Sequence, residues 1–202
     1  MIIIGLCGNS GSGKSTVCKI FEKYGIPSID ADLVYRELTA PGRELTKKLS
    51  ERFGNEILND DLSLNRRALS SIVFSDESGS LLAELNRITH SSIIEETKKR
   101  IAGFSKQGVD AVIFDAPLLF ESRFNKECDV IISVCASKEE KISRIMQRDS
   151  LTRELATKRI DSQLSEDFLK ENSDFVIMSG EGYPDTKIQI KKIIKNIFNS
   201  EV

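Results

Sequence analysis

The sequence predicts an α/β fold in three layers, built on a five-stranded parallel sheet. Five short apolar runs are typical of strands that are buried on both faces, and segments with helical spacing separate them. A glycine-rich motif after the first run fits the turn between a strand and a helix. The predicted strands are residues 2–7, 26–29, 109–114, 130–134 and 175–178.

Two helical regions interrupt this alternation of strands and helices. Residues 42–105 carry consecutive helical patterns, so we expect a helical insertion between the second and third strands. Residues 137–172 are helical and dense in charge, and Ser137 with Glu140 has the pattern of a capping box. The predicted core therefore consists of residues 1–41, 106–136 and 173–202.

The composition argues against several classes of protein. The length of 202 residues fits one compact domain with insertions, and the 29 basic and 31 acidic residues nearly cancel. Such a balance argues against a generally basic nucleic-acid binder and leaves local basic patches open. No apolar stretch approaches the ~20 residues that a membrane span needs, and residues 1–7 lack the basic leader of a secretory signal. We therefore expect a cytoplasmic protein without nucleic-acid or membrane partners.

The cysteines indicate a reduced compartment rather than disulfides or a metal centre. Cys7, Cys18, Cys128 and Cys135 form no CxxC pair, and a single histidine cannot complete the usual zinc spacings. We expect these four residues to be buried free thiols.

The strongest functional signal is the segment 8–16, which matches the pattern G-x-x-x-x-G-K-[ST] between a strand and a helix. Its glycines let the chain form a nest of N–H groups that bind phosphate oxygens, and the following helix adds positive potential. Lys14 can reach the β- and γ-phosphates of ATP, and the Ser15 hydroxyl can ligate Mg²⁺. The predicted nucleotide-binding residues are Gly8, Asn9, Gly11, Ser12, Gly13, Lys14, Ser15 and Thr16.

The sequence lacks the motifs of two large classes of nucleotide-binding protein. A GTPase needs an Asn-Lys-x-Asp run after a strand, whereas segment 125–129 has its aspartate one place late and precedes a strand. A transporter ATPase needs a Leu-Ser-Gly-Gly-Gln signature, which the sequence lacks. A small kinase of the adenylate kinase type fits the length better.

A pair of carboxylates, Asp30 and Asp32, follows the second predicted strand. Ligands of open α/β sheets lie at the carboxyl ends of strands, so this pair points toward the site. A kinase with an alcohol acceptor benefits from a carboxylate that accepts the hydroxyl proton. We predict that Asp32 is this base, and that Asp30 has a structural role or contacts Mg²⁺-bound water. The alternative is an N-cap for a helix that begins near Leu33.

With these features the sequence resembles the dephospho-coenzyme A kinase family over nearly its whole length. The spacing of segment 29–36 after the glycine motif and the block Pro-Leu-Leu-Phe-Glu at 117–121 are the most specific matches. Further matches are Pro41, Gly42, Phe53, Gly54, Leu64, Asn65, Arg66, Val73, Phe74, Leu85, Asn86, His90, Arg159, Gln163 and segment 173–177.

The resemblance implies transfer of the γ-phosphoryl group of ATP to the 3′-hydroxyl group of dephospho-CoA. It also implies that the insertion 42–105 binds the coenzyme, where His90 either contacts the pantetheine side or has a structural role. Three places depart from the family pattern. Asn65, Ser91 and the pair Met178-Ser179 stand where the family often has Asp, Pro and Asp-Asn.

Further candidates surround these groups. Arg36 lies four residues beyond Asp32 on the same helix face, and it either holds an acceptor oxygen or phosphate or forms a surface ion pair. Asp115 ends a hydrophobic strand, where it either orients Mg²⁺ through water, like a Walker B carboxylate, or caps the strand exit. Pro117 and Leu118 follow directly, and we expect them to line the acceptor side.

Four arginines lie in the charged helical segment 137–172. Arginines on a closing lid can neutralise charge on the transferring phosphoryl group, and the alternative is a solvated helix face. We predict a lid over 137–172, with Arg148 as a catalytic arginine. The set comprises Arg144, Arg148, Arg153 and Arg159.

Two other functions compete with this prediction. Another small-molecule hydroxyl kinase, such as a shikimate kinase-like enzyme, also has Asp-x-Asp after its second strand, but it holds its acceptor with a Gly-Gly-Gly run that is missing here. A nucleotide-dependent switch without turnover would leave Asp32 without a role. The expected assembly is a monomer or a small homo-oligomer.

Overall fold

The computed structural model describes residues 1–198 and contains the predicted parallel sheet. Residues 199–202, the end of the predicted core, lie outside the described residues. The strands are β1 (Ile2–Cys7), β2 (Ser28–Asp30), β3 (Ala111–Asp115), β4 (Val130–Cys135) and β5 (Phe175–Met178). They form one sheet in the order β2-β3-β1-β4-β5, with helices on both sides, which confirms the predicted fold class.

Helices form where the sequence shows a period of 3.6 residues, such as 17–24 and 190–198. The capping box at the start of the sixth helix is confirmed, because the Ser137 hydroxyl accepts from the Glu140 N–H and the Glu140 carboxylate accepts from the Ser137 N–H. The helices are α1 (Lys14–Lys23), α2 (Ala31–Leu38), α3 (Glu44–Phe53), α4 (Arg66–Ser75), α5 (Ser80–Lys106), α6 (Lys138–Asp149), α7 (Arg153–Asp161), α8 (Glu166–Glu171) and α9 (Thr186–Phe198).

The strands bring their carboxyl ends to one edge of the sheet. In the parallel register, Leu6 lies beside Asp115 and Cys7 lies beside Ser133. The strands are held there by apolar burial, since β3 is buried along its whole length and α1 and α9 pack on the sheet through Phe21 and other apolar side chains. This edge is where parallel sheets bind ligands.

The chain divides into two compact units. The first consists of Met1–Ser28 and the chain from Gln107 onward, and the second of Ile29–Lys106. In the second unit α3, α4 and α5 share an apolar core, against which Tyr35 and Leu38 of α2 also pack. The second unit therefore includes α2 in addition to the predicted insertion. The boundaries of a coenzyme-binding insertion at 42–105 and of a lid at 137–172 stay predictions.

The described cysteines are free thiols, and Cys7, Cys18 and Cys135 are buried whereas Cys128 is partly buried. Among the described helices, none combines the length and the apolar character that a membrane span requires.

Candidate active site

The glycine motif forms a tight loop between β1 and α1. Gly11 and Gly13 have φ angles of 79° and 93°, in the left-handed region that favours glycine. At Gly11 a Cβ atom would lie 2.7 Å from the carbonyl oxygen of Lys141 on α6. The backbone conformation therefore favours glycine at both positions, and close packing requires it at Gly11.

The backbone N–H groups of the loop form two sets, those with an acceptor in the protein and those without one. Ser10 donates to the Gln163 side-chain oxygen at 3.0 Å, and Ser12 donates to the Asn9 carbonyl oxygen at 3.0 Å. The second set has no acceptor among residues 1–198 and surrounds the N-terminus of α1, where anions bind. The second set includes the N–H groups of Gly11, Gly13, Lys14 and Ser15.

The outward carbonyl groups of the loop are held by neighbouring elements. Arg144 Nη1 on α6 donates to the Gly11 carbonyl oxygen at 2.9 Å and to Ser179 Oγ at 3.0 Å. Ser179, one of the departures from the family pattern, donates in turn to the Ser12 carbonyl oxygen at 2.5 Å. Because the carbonyls are fixed on the outside, the N–H groups face the interior of the loop.

Lys14 forms an ion pair with Asp115, and the two side chains are only 14% and 10% exposed. Cys18, one turn after Lys14 on α1, donates its thiol to Asp115 Oδ2 at 3.3 Å. Burial and the Asp115 carboxylate raise the pKa of the Cys18 thiol, so it stays protonated and able to donate. Both carboxylate oxygens of Asp115 are thus engaged at the end of β3.

In the second unit, the two predicted aspartates differ in their surroundings. Asp30 is the N-cap of α2, since its Oδ1 accepts from the Asp32 N–H at 2.8 Å and from the Leu33 N–H at 3.1 Å. Asp32 and Arg36 are exposed on the same face of α2, and neither side chain has a partner among the described residues. The cap leaves the Asp32 carboxylate free, as a general base requires.

The remaining acceptor candidates occupy separate places in the structure. His90 is partly buried on α5, and burial lowers its pKa, so the imidazole is neutral at neutral pH. Pro117 and Leu118 lie in the turn after β3, where Leu118 is 50% exposed and its neighbour Leu119 is fully buried. Leu119 anchors the turn, which leaves Leu118 available to a ligand.

All four arginines of the charged segment are paired with carboxylates, and Arg144 pairs with Glu140 at 3.6 Å. Arg148 donates to Asp149 from Nε and Nη2 at 2.8 Å each, and Arg159 Nη1 donates to the same carboxylate at 2.7 Å. Arg153 pairs with Glu139 at 2.7 Å. Asp149 therefore holds two of the predicted lid arginines side by side, whereas Arg144 contacts the phosphate loop itself.

A nest of free N–H groups at the end of a parallel sheet, next to a lysine and a strand-end aspartate, belongs to the P-loop kinases. The model of the dephospho-CoA kinase family matches residues 2–185. The chain belongs to this family.

Relatives and solved structures agree with this assignment. The chain is 38% identical over 194 residues to a dephospho-CoA kinase of Bacillus cereus, covering 96% of each chain. It is 39% identical over 197 residues to one of Listeria monocytogenes, covering 96% of this chain and 98% of the relative.

The structure matches a dephospho-CoA kinase from Campylobacter jejuni with a TM-score of 0.68 and 28% identity over 96% of both chains. A shikimate kinase from Acinetobacter baumannii, 17% identical with a TM-score of 0.57 over 100% of this chain and 96% of that one, shares the fold.

Proposed function

We propose that the chain transfers the γ-phosphoryl group of ATP to the 3′-hydroxyl group of dephospho-CoA, which gives ADP and CoA. The observation that carries the proposal is the set of free N–H groups around the start of α1, in a chain of the dephospho-CoA kinase family. The enzyme would act in the cytoplasm, where this last step of coenzyme A synthesis is expected.

The phosphate loop supplies the nucleotide side of the reaction. Its free N–H groups bind the β- and γ-phosphates of ATP, and the helix N-terminus adds positive potential. Lys14 leaves Asp115 for the phosphate oxygens when ATP binds, and it then stabilises the charge that spreads over the transferring group. The preformed loop makes this stabilisation available without reorganisation at the moment of transfer.

The donors at this site fit Mg²⁺. Ser15 presents an exposed hydroxyl at the start of α1, and Asp115 presents a carboxylate nearby in the first unit. In the described chain no group of three His, Cys, Asp or Glu side chains could hold a metal by itself, so the ion would bind mainly through ATP phosphates and water. When bound, Mg²⁺ neutralises charge on the β- and γ-phosphates.

The acceptor side is proposed residue by residue. We expect Asp32 to orient the 3′-hydroxyl group and to accept its proton, while Arg36 holds an acceptor oxygen or phosphate. His90, Pro117 and Leu118 are proposed contacts of the coenzyme. Arg148 is the proposed catalytic arginine of the lid, whose closure excludes water as a competing nucleophile.

An acceptor panel tests the proposed function. ADP formation is measured with dephospho-CoA, shikimate or a nucleoside monophosphate as the acceptor, and Lys14→Met serves as the inactive control. We expect ADP formation that depends on dephospho-CoA and is lost in Lys14→Met. Equal or faster turnover with shikimate, or ADP formation that is independent of the acceptor, would contradict the proposal.

A further inference from the structure

Two hydrogen bonds join the phosphate loop to the short segment 162–165 between α7 and α8. Gln163 Oε1 accepts from the Ser10 N–H at 3.0 Å, and the Leu164 carbonyl oxygen accepts from Asn9 Nδ2 at 2.9 Å. The bonded residues are 153 and 155 positions apart in the chain. The first half of the loop therefore depends on a distant part of the same unit.

The segment that carries Gln163 is itself well supported. The Gln163 N–H donates to the Ile160 carbonyl oxygen at 3.1 Å, which continues the last turn of α7. On the other side, Glu166 at the start of α8 pairs at 2.6 Å with Lys141, whose side chain is only 4% exposed. Both flanks of Gln163 are therefore bonded to α6 or α7 in the arrangement that contacts the loop.

The Gln163 contact selects one orientation of the loop. The Ser10 N–H has no other acceptor among residues 1–198, so the amide oxygen determines which way the peptide group between Asn9 and Ser10 faces. With the Ser10 and Ser12 amides bonded to the protein, the Gly11 and Gly13 amides remain available to phosphate. An unheld loop would spend only part of its time in this arrangement, and the apparent affinity for ATP falls by that fraction.

We propose that Gln163 is a positioning residue for ATP binding, which acts by holding the Ser10 N–H and thereby keeps the phosphate loop in its binding conformation. The inference rests on the proposed nucleotide site at this loop. Its effect is on the nucleotide and not on the acceptor, since Gln163 contacts no group that we assign to the coenzyme or to proton transfer.

The test replaces Gln163 by methionine, which has a similar length and no amide oxygen, and compares it with Ser162→Ala in the same segment. The dissociation constant of ATP is measured by calorimetry, the steady-state constants by ADP formation, and the exchange of the Ser10 amide by NMR. In Gln163→Met we expect the Kd and KM for ATP to rise about tenfold. The KM for dephospho-CoA and the kcat at saturating ATP should change less than about twofold. The Ser10 amide should exchange faster with solvent. Ser162→Ala should match the wild type.

The outcomes separate this inference from the proposed function. ATP binding in Gln163→Met that equals the wild type, or is tighter because the amide oxygen competes with phosphate, would overturn the positioning role. If Gln163→Met fails to fold, Gln163→Asn, which is one methylene too short, gives the same comparison. If the wild-type chain binds ATP but makes no CoA, the proposed function is contradicted. The role of Gln163 is still decided, because it depends only on the ATP affinities of the wild type and of Gln163→Met.

Discussion

The ammonium group of Lys14 is paired with the carboxylate of Asp115, which joins the first turn of α1 to the end of β3. Both side chains are mostly buried, so water and dissolved ions weaken their attraction less than they would at the surface. The pair holds the lysine at the carboxyl edge of the sheet. A triphosphate offers the lysine stronger anionic partners and would leave the Asp115 carboxylate free for a metal-bound water.

Asp32→Asn is expected to lower kcat by about 10²–10⁴-fold, because the amide cannot accept the proton of the acceptor hydroxyl. The dissociation constant of ATP should stay within about twofold, since the nucleotide is bound by the phosphate loop. Both quantities can be measured by ADP formation and calorimetry. Near-normal turnover in this variant would remove Asp32 from the mechanism.

The neighbouring Asp30→Ala is the matched comparison for Asp32→Asn. It removes the N-cap of α2 and should lower the free energy of unfolding by about 1 kcal/mol in a urea titration. Asp32→Asn leaves this cap in place and should keep the wild-type unfolding midpoint. A larger stability loss in Asp32→Asn than in Asp30→Ala would contradict the assignment of the cap to Asp30.

Arg148→Ala is expected to lower kcat by about 10²-fold, because the proposed role of Arg148 is to stabilise the transferring phosphoryl group and alanine carries no charge. The Arg148 side chain is 58% exposed, so its ion pair with Asp149 contributes little to stability. The control is Lys158→Ala on α7, which removes an exposed pair with Glu154 and should leave turnover unchanged. Equal kcat values for Arg148→Ala and the control would exclude Arg148 from the reaction.

The burial of His90 predicts that the free energy of unfolding depends on pH. Burial lowers its pKa in the folded state below the ordinary value of 6.5, so the unfolded chain binds more protons below neutral pH. Its contribution is fully present above about pH 6.5 and is lost as the pH falls toward the folded-state pKa. Urea titrations between about pH 7 and about pH 5 should therefore show a smaller loss of stability in His90→Gln than in the wild type. The same loss in both proteins would contradict this assignment.

The thiols should be unreactive in the folded protein. Burial raises the pKa of Cys7 and of Cys128 to about 12, so almost no thiolate is present at pH 8. Labelling with a disulfide reagent at this pH should be slow in native buffer and complete in denaturant, and Cys128, which is only partly buried, should react first. Rapid labelling of Cys7 in native buffer would contradict its burial.

Features with a local pattern could be predicted from the sequence. The strands show as apolar runs because both faces of a parallel sheet are buried, and the phosphate loop shows because its glycine positions are contiguous. The helix after β2 is a partial case. The aspartate pair predicted a helix start near Leu33, whereas α2 begins at Ala31 because Asp30 supplies the cap.

Contacts between distant side chains could not be predicted in the same way. Gln163 belongs to the family resemblance, but nothing in its neighbourhood indicates that it accepts from Ser10, which is 153 positions away. Ser179 likewise stands out only as a departure from the family pattern, and its bond to the Ser12 carbonyl follows from the packing of the loop after β5. Such partners are selected by the tertiary fold, and a hydrogen bond to a backbone group requires no particular residue type on the other side.

The central claim is phosphoryl transfer from ATP to the 3′-hydroxyl group of dephospho-CoA. The most direct measurement incubates the purified chain with ATP, Mg²⁺ and dephospho-CoA and quantifies both products by chromatography and mass spectrometry, with ³¹P NMR to locate the new phosphate. We predict ADP and CoA in equal amounts, with a new phosphomonoester on the 3′-oxygen of the ribose. ADP without CoA, or a phosphate at another position, would contradict the claim.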